Sequence, residues 1–508
     1  MSEKKYTKVF YISLILTGSF IIWGVIPDSI LPNANLDNVT NAIQIFLVSK
    51  FAWFYLLSAT SFLVFSIFLI VSKYGNIVLG KEGDQPEYSY LTWFSMLFSA
   101  GMGIGLVFWG TAEPISHFNN PPFDVSSKSE AAKVAMRYSF FHWGLHPWAI
   151  YSILGLSLAY FQFRKSEPGL ISSTLKPLFG EKMSGRYGTA VNVIAVFATV
   201  FGVATSLGLG AQQISSGLSF LFSGISNTFN LQLIIIVVVT IIFLMSAMTG
   251  LNKGIKILST TNIFIALILL VFMLLAGPSN FIMNLFTTTL GSYIQNLPAM
   301  SFRTAPFNED NTIWLQNWTI FYWAWWIAWA PFVGMFIARV SKGRTIREFV
   351  LGVLLVPTIF GALWFSVFGG SAIALQYQNR ADIYAVINES GAEVALFSVL
   401  EYFPLTTFIS LIAILLIAIF FITSADSATF VLGMLTTNGG LNPNQKIKLA
   451  WGLVQSGTAA VLLWQGGLNA LQTASIIAAF PFVIILLLII ISLLKAFKEE
   501  KINRHRPI

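Results

Sequence analysis

Along this chain, long apolar runs alternate with short polar or charged segments about twelve times. The runs cover 9–26, 51–71, 91–110, 140–161, 190–210, 231–247, 257–276, 313–337, 349–369, 405–423, 449–464 and 475–494. Each is near the ~20 residues that cross ~30 Å of hydrocarbon, the longer ones by tilting. The pattern predicts an all-α polytopic membrane protein with twelve transmembrane helices. Three connections are long: 111–138, with a turn at Pro121 and Pro122; 277–312, whose stretch 281–297 is amphipathic and suits an interface; and 377–402, an acidic cap carrying Asp382, Glu389, Glu393 and Glu401. A fourth, 163–188, is basic through Arg164, Lys165, Lys176, Lys182 and Arg186.

The stretch from Trp318 to Arg347 reads as a span, yet holds Trp318, Trp323, Trp325, Trp326 and Trp329. Lipid-facing tryptophan belongs at the water interfaces, not through the body of a helix. These rings therefore either fill space between helices or build an aromatic cage. A cage suits a cation with no hydrogen to donate, such as a quaternary ammonium, which ring faces hold electrostatically.

Composition narrows the field. Of 508 residues, 56% are hydrophobic and 10% charged, which excludes an ordinary soluble domain. There is no cysteine, hence no disulfide or thiolate metal site, and the four histidines are too scattered for a metalloenzyme. The net charge of +8 reflects topology, not a nucleic-acid partner. With the N-terminus inside, all of the 29 Lys and Arg except Lys50, Lys128, Lys133, Arg137, Arg303 and Arg380 fall on the inner side. Both termini are thus expected in the cytoplasm, and the basic end from Lys495 to Arg506 beside anionic lipid or serving as ordinary positive-inside anchoring. The first run follows Lys4, Lys5 and Lys8 without a convincing small-x-small cleavage site, so it reads as a retained helix.

Three spans depart from plain hydrophobic helix. The third carries Gly101, Gly103 and Gly105 around Met102 and Ile104. Small residues four apart suit tight helix packing. Glycines at alternate positions favour local unwinding, which leaves backbone bare for a cavity or a ligand. In the fourth, Trp143, Trp148 and Tyr151 share one wide arc of a helical wheel. His142 and His146, spaced i, i+4, have no third ligand nearby and read as structural histidines. The tenth ends Thr423-Ser-Ala-Asp-Ser, whose hydroxyls either bond back to the i−4 carbonyl or coordinate a hard cation such as sodium.

Four motifs then resemble the betaine/choline/carnitine transporters, most closely the sodium-coupled glycine betaine branch. They are Ala100-Gly-Met-Gly-Ile-Gly-Leu-Val-Phe-Trp-Gly-Thr-Ala-Glu-Pro, His142-Trp-Gly-Leu-His-Pro-Trp-Ala-Ile-Tyr, Phe321-Tyr-Trp-Ala-Trp-Trp-Ile-Ala-Trp-Ala-Pro-Phe-Val-Gly-Met-Phe and Thr423-Ser-Ala-Asp-Ser. The resemblance runs from the third span to the last. It implies a LeuT-type 5+5 inverted repeat within the twelve helices and a homotrimer. It divides the chain into a peripheral N-terminal part (1–90), two repeats (91–276 and 313–494) separated by an interfacial segment (277–312), and a basic tail (495–508).

By position, the resemblance implies an aromatic box for the trimethylammonium group at Trp143, Trp148, Tyr151 and Trp326, with Trp329 on the same path and Phe336 further in. The unwound Gly101–Gly105 stretch, with Met102 and Gly103, would meet the substrate carboxylate. One sodium site is implied at the carbonyls of Ser99, Met102 and Phe420 with the side chains of Thr423 and Ser424, and a second at Thr199 and Phe332. There the chain departs from the family pattern, because Val203 stands where a second threonine is usual. No cofactor other than the coupling ion is implied. A proton-coupled choline carrier tends to have an acid at the last glycine of the stretch, here Gly105. A carnitine exchanger carries an arginine in the fifth span, and 190–210 contains none. A membrane enzyme acting on choline headgroups would need catalytic groups, of which Asp426 is the one well-placed acid. A channel would need a charged ring or a hydroxyl-lined tunnel. Neither is visible.

Overall fold

The computed structural model describes residues 6–27, 29–32, 34–101, 103–249, 252–440 and 443–500. Among them the chain is helical throughout, and its only β feature is an isolated bridge between Val78 and Thr345. The long helices are α1 (Lys8–Val25), α2 (Leu36–Val71), α3 (Tyr90–Gly101), α4 (Ile104–Asn119), α5 (Lys128–Trp143), α6 (Leu145–Ala159), α7 (Arg186–Leu221), α8 (Phe229–Thr249), α9 (Asn252–Ala276), α10 (Ser279–Ser301), α11 (Phe321–Arg339), α12 (Ile346–Tyr377), α13 (Thr406–Leu435) and α14 (Gln445–Lys498). Their starts follow the local chemistry of orphaned N–H groups. Thr7, Asn35 and Ser127 cap α1, α2 and α5, and Thr345 with Glu348 closes a capping box on α12.

Nine helices among the described residues are long and apolar enough to cross a membrane. Two further apolar runs are interrupted, at Gly103 between α3 and α4 and at Gly144 between α5 and α6. Conversely, the 54 residues of α14 bend at Gly466 and Gly467, where Gly467 adopts φ 56°, a conformation that glycine reaches without steric cost. Burial sorts the helices by surroundings. The apolar window of α7 is 89% buried, whereas those of α1 and α9 are 28% buried. The large aliphatic and aromatic side chains left exposed, such as Ile241 and Met245 on α8 and Phe264 and Val271 on α9, suit contact with lipid.

One expected loop is shorter than the sequence suggested. Helix α4 runs on through Pro114 to Asn119 and α5 begins at Lys128, so 111–138 is mostly helix. The stretch from Trp318 ends as a helix at Arg339 and turns before Thr345. At its start, Gln316–Ile320 form one wide π turn, a local swelling typical of functional helices. Past the end of α14, Glu500 accepts from Arg164 Nη2 (2.6 Å), Lys165 Nζ (2.7 Å) and Tyr160 Oη (2.8 Å). Burial alone would raise the Glu500 carboxyl, but these donors outweigh it and hold the group down to about 2.

Candidate functional site

Helices α4, α5, α6, α7, α9, α11, α12 and α13 surround a cavity of ≈ 150 Å³. Its walls are aromatic: Trp143 from α5, Trp148 and Tyr151 from α6, and Trp325, Trp326, Trp329 and Phe332 from α11. The rings meet largely at right angles. Trp143 and Trp326 stand 4.8 Å apart at 84°, Tyr151 and Trp326 5.9 Å apart at 88°, and Trp148 and Tyr151 5.4 Å apart at 77°. Edge-to-face pairs of this kind are favourable in themselves, and they leave separate ring faces as walls. Hydrogen bonds fix the rings further. Trp326 Nε1 donates to the His142 carbonyl (3.0 Å), Trp329 Nε1 to the Gly202 carbonyl (2.5 Å) and Trp143 Nε1 to Glu113 Oε2 (2.8 Å).

The break at Gly144 explains how these residues come together. A helix end leaves four carbonyls and four N–H groups without partners. Here Trp326 takes the orphaned His142 carbonyl, and the Leu145 N–H donates to Tyr293 Oη at 3.0 Å. A helical wheel drawn through 143–151 is therefore wrong in detail, because Trp143 ends one helix while Trp148 and Tyr151 belong to the next. Rings from both helices nonetheless meet α11 at Trp326, 4.8 Å from Trp143 and 5.9 Å from Tyr151.

Beside these rings, Gly103 has extended backbone and α4 begins at Ile104. Gly103, Ile104 and Gly105 line the cavity. The start of α4 has no side-chain cap and its Leu106 N–H donates to the Gly103 carbonyl at 3.1 Å, so the positive end of its dipole lies at the cavity wall. Met102 lies outside the described residues, as do the side chains of Ser99 and Gly101. Phe420, Thr423, Ser424 and Ser427 of α13 line the same cavity. The Thr423 hydroxyl donates to the Ile419 carbonyl at 2.8 Å, which leaves its lone pairs toward other groups.

Thr199 is not among the lining residues. Its hydroxyl is buried and donates to the Ala195 carbonyl at 2.7 Å, and Val203 is buried beside it on α7. Asp426 does not line the cavity either, and accepts from Ser246 at 3.0 Å. The two histidines of the fourth run part company across the break. His146 Nε2 lies 3.1 Å from Ser301 Oγ, while His142 joins Glu113 and His117. The expectation that no third potential ligand approaches His142 is thus overturned, although each group found there is a hydrogen-bond partner. Sequence reasoning assigned no role to Glu113, Ser206 or Asn262, and placed Trp325 and Ser427 in candidate stretches without assigning either to a site. Of these, Glu113 carried the clearest signal, as an acid three residues past the end of the third apolar run and four before His117.

The profile of the BCCT, betaine/carnitine/choline family transporter, matches residues 8–502. The glycine betaine transporter OpuD of Bacillus subtilis is 54% identical over 500 residues, covering 98% of this chain and 96% of that protein. A probable glycine betaine transporter of Desulfitobacterium hafniense is 45% identical over 501 residues (98% and 99%). The ectoine/hydroxyectoine transporter of Virgibacillus pantothenticus is 46% identical over 496 residues (97% and 97%).

Proposed function

This chain belongs to the betaine/carnitine/choline transporter family, and from that premise we propose that it is a sodium-driven symporter importing glycine betaine or a closely related quaternary-ammonium zwitterion by alternating access. The observation that carries the reading is the juxtaposition in one cavity of several tryptophan and tyrosine faces with an uncapped helix start. A trimethylammonium group cannot donate hydrogen bonds, so ring faces are its available attraction, each at roughly 0.5–2 kcal/mol when desolvated. Its carboxylate needs donors, which the start of α4 supplies. Ectoine, named for one relative, is likewise a compact zwitterion, so the same walls suit that class.

In this reading each interrupted pair, α3–α4 and α5–α6, makes one crossing and α14 makes two, giving twelve spans. Spans three to seven and eight to twelve form a LeuT-type inverted repeat, the chain assembles as a homotrimer in the cytoplasmic membrane, and both termini face the cytoplasm. The imported solute serves as an osmoprotectant. Because the zwitterion carries no net charge, accumulation needs a driving ion. Sodium entry supplies ~2.3 kcal/mol per 100 mV in addition to its gradient. The sodium site proposed at Phe420, Thr423 and Ser424 is supported by their shared place on the cavity wall. A second at Thr199 and Phe332 has weaker support, because Thr199 stands off the cavity and Val203 offers no oxygen.

The test is uptake of labelled glycine betaine, choline and carnitine into proteoliposomes, with and without sodium. Betaine uptake should require sodium and rise nearly hyperbolically with its concentration. Thr423→Ala with Ser424→Ala should remove most uptake together with the sodium requirement. Equal betaine uptake without sodium would sink the symport reading.

A further inference from the structure

Glu113 sits fully buried on α4, where a carboxylate is costly unless it is paired and hydrogen-bonded. His142 Nδ1 lies 2.7 Å and His117 Nε2 3.1 Å from its Oε1. The Tyr322 hydroxyl reaches Oε2 over 2.6 Å and the Trp143 indole N–H over 2.8 Å. An ionised carboxylate accepts at about four sites, so these four groups use its whole capacity. They come from α4, α5 and α11, and His142 Nε2 extends the set to Thr319 Oγ1 at 2.9 Å. The carboxylate and the two imidazoles could together offer a metal three ligand atoms within 4.8 Å of one another. The same carboxylate already serves Trp143 and Tyr322, so the cluster is better explained as a hydrogen-bond hub.

The consequence lies in the cavity wall. The indole of Trp143 lines the cavity, and an indole whose N–H donates to an anion carries more negative charge on its ring face. That face is what attracts a cation. Trp326 and Trp329 differ in this respect, because their N–H groups go to neutral backbone carbonyls. We infer that Glu113 is the buried counter-charge of the cation site, a positioning residue that acts through the Trp143 indole N–H to orient that ring and strengthen its hold on a quaternary ammonium. The inference rests on the betaine reading of the same cavity.

The experiment titrates the purified full-length protein, by tryptophan fluorescence, with glycine betaine and with 3,3-dimethylbutyrate. The second ligand has the same shape, with a tert-butyl group in place of trimethylammonium, so the ratio of the two Kd values reads cation selectivity. Glu113→Gln keeps the size and removes the charge, and should lower this ratio about tenfold, the equivalent of ~1.4 kcal/mol. A purely structural role weakens both ligands alike and leaves the ratio unchanged. Glu113→Asp, which keeps the charge on a shorter arm, should recover part of it. In a Trp143→Phe background, whose ring has no N–H, Glu113→Gln should shift the ratio by less than about twofold, and an undiminished shift overturns the mechanism. Should Glu113→Gln fail to fold, Trp143→Phe against Trp148→Phe decides. The first should lower the ratio about threefold more than the second, and equal drops overturn the proposal. If the unmodified protein does not prefer betaine to its isostere, the betaine reading falls and this inference with it. A preference left undiminished by Glu113→Gln overturns only the role of Glu113.

Discussion

Between α3 and α4, and again between α5 and α6, an apolar run is interrupted at a glycine, and the protein treats the two gaps in opposite ways. At Gly144 the gap is filled. A Cβ there would lie 2.4 Å from the Phe140 carbonyl and 2.8 Å from Tyr293 Oη, and the freed backbone groups are taken by Tyr293 and Trp326. At Gly103 the gap is open. Nothing lies within 4 Å of where a Cβ would be, and the backbone lines the cavity. Unpaired backbone at membrane depth is tolerated only where protein or a ligand-bearing cavity receives it. The first case is met by protein and the second by the cavity. One gap is therefore closed by the scaffold, and the other opens onto the cavity proposed to take the solute.

Filling the closed gap should have the largest effect. Gly144→Val forces a branched side chain into backbone and ring atoms that have nowhere to go, and is expected to yield no monodisperse protein on gel filtration. Next comes the edge of the open gap. A Cβ at Gly105 would lie 2.4 Å from Trp325 Cη2 and 3.1 Å from Trp143 Cη2. Those ring tips border the cavity and can be pushed into it. Gly105→Asp should therefore fold, yet lose betaine uptake by about tenfold or more as the walls move. Its carboxylate repels that of betaine and attracts a substrate whose only charge is positive. Choline should thus compete better than it does against the unmodified protein, and competition assays on the variant check both statements.

The two gaps were unequally legible in the sequence. Three glycines at alternate positions in an apolar run favour unwinding over packing, because the middle one lies off the face that Gly101 and Gly105 would share. Gly144 stands alone among Phe140, Phe141, Trp143 and Trp148, and a lone glycine is tolerated within a helix at a cost of ~1 kcal/mol. The wheel therefore ran straight through it. What marks it as a break is Tyr293, about 150 residues away on α10, a contact that no local pattern reveals. The same holds for Glu113. Its i, i+4 partner His117 was readable, but Trp143, His142 and Tyr322 converge on it only through tertiary packing. That the mid-span tryptophans face something other than lipid was readable from position, whereas Trp326 and Trp329 were singled out among them only by the family resemblance. Trp325, two residues from Trp323 and next to Trp326, gave no sign of which neighbours faced the cavity and which the core.

A milder probe of the closed gap removes only its plug. Tyr293→Phe keeps the ring and deletes the hydroxyl that accepts the Leu145 N–H. A buried N–H left without a partner costs about 1–3 kcal/mol, and the variant should show a lower Tm. Its KM for betaine should be unchanged, since Tyr293 does not line the cavity. A raised KM with unchanged Tm would mean that this gap, too, is shaped for the solute.

The smallest expected effect tests the open gap directly. Gly103 has φ −158° and ψ 177°, extended backbone that alanine adopts without strain, and its Cβ would enter free space. Gly103→Ala should therefore leave Tm unchanged. The added methyl stands next to the N–H groups that open α4, where the substrate carboxylate is proposed to lie. Crowding one such hydrogen bond costs about 0.5–1.5 kcal/mol, which corresponds to roughly a 2- to 10-fold rise in the KM for betaine. The maximal rate should change little if the crowding acts on binding alone. An unaltered KM would show that the backbone at Gly103 is bare without being used. The first gap would then be a hinge or a packing defect like any other, and the carboxylate would have to find its donors elsewhere in the cavity, the hydroxyls of Ser424 and Ser427 being the nearest in kind.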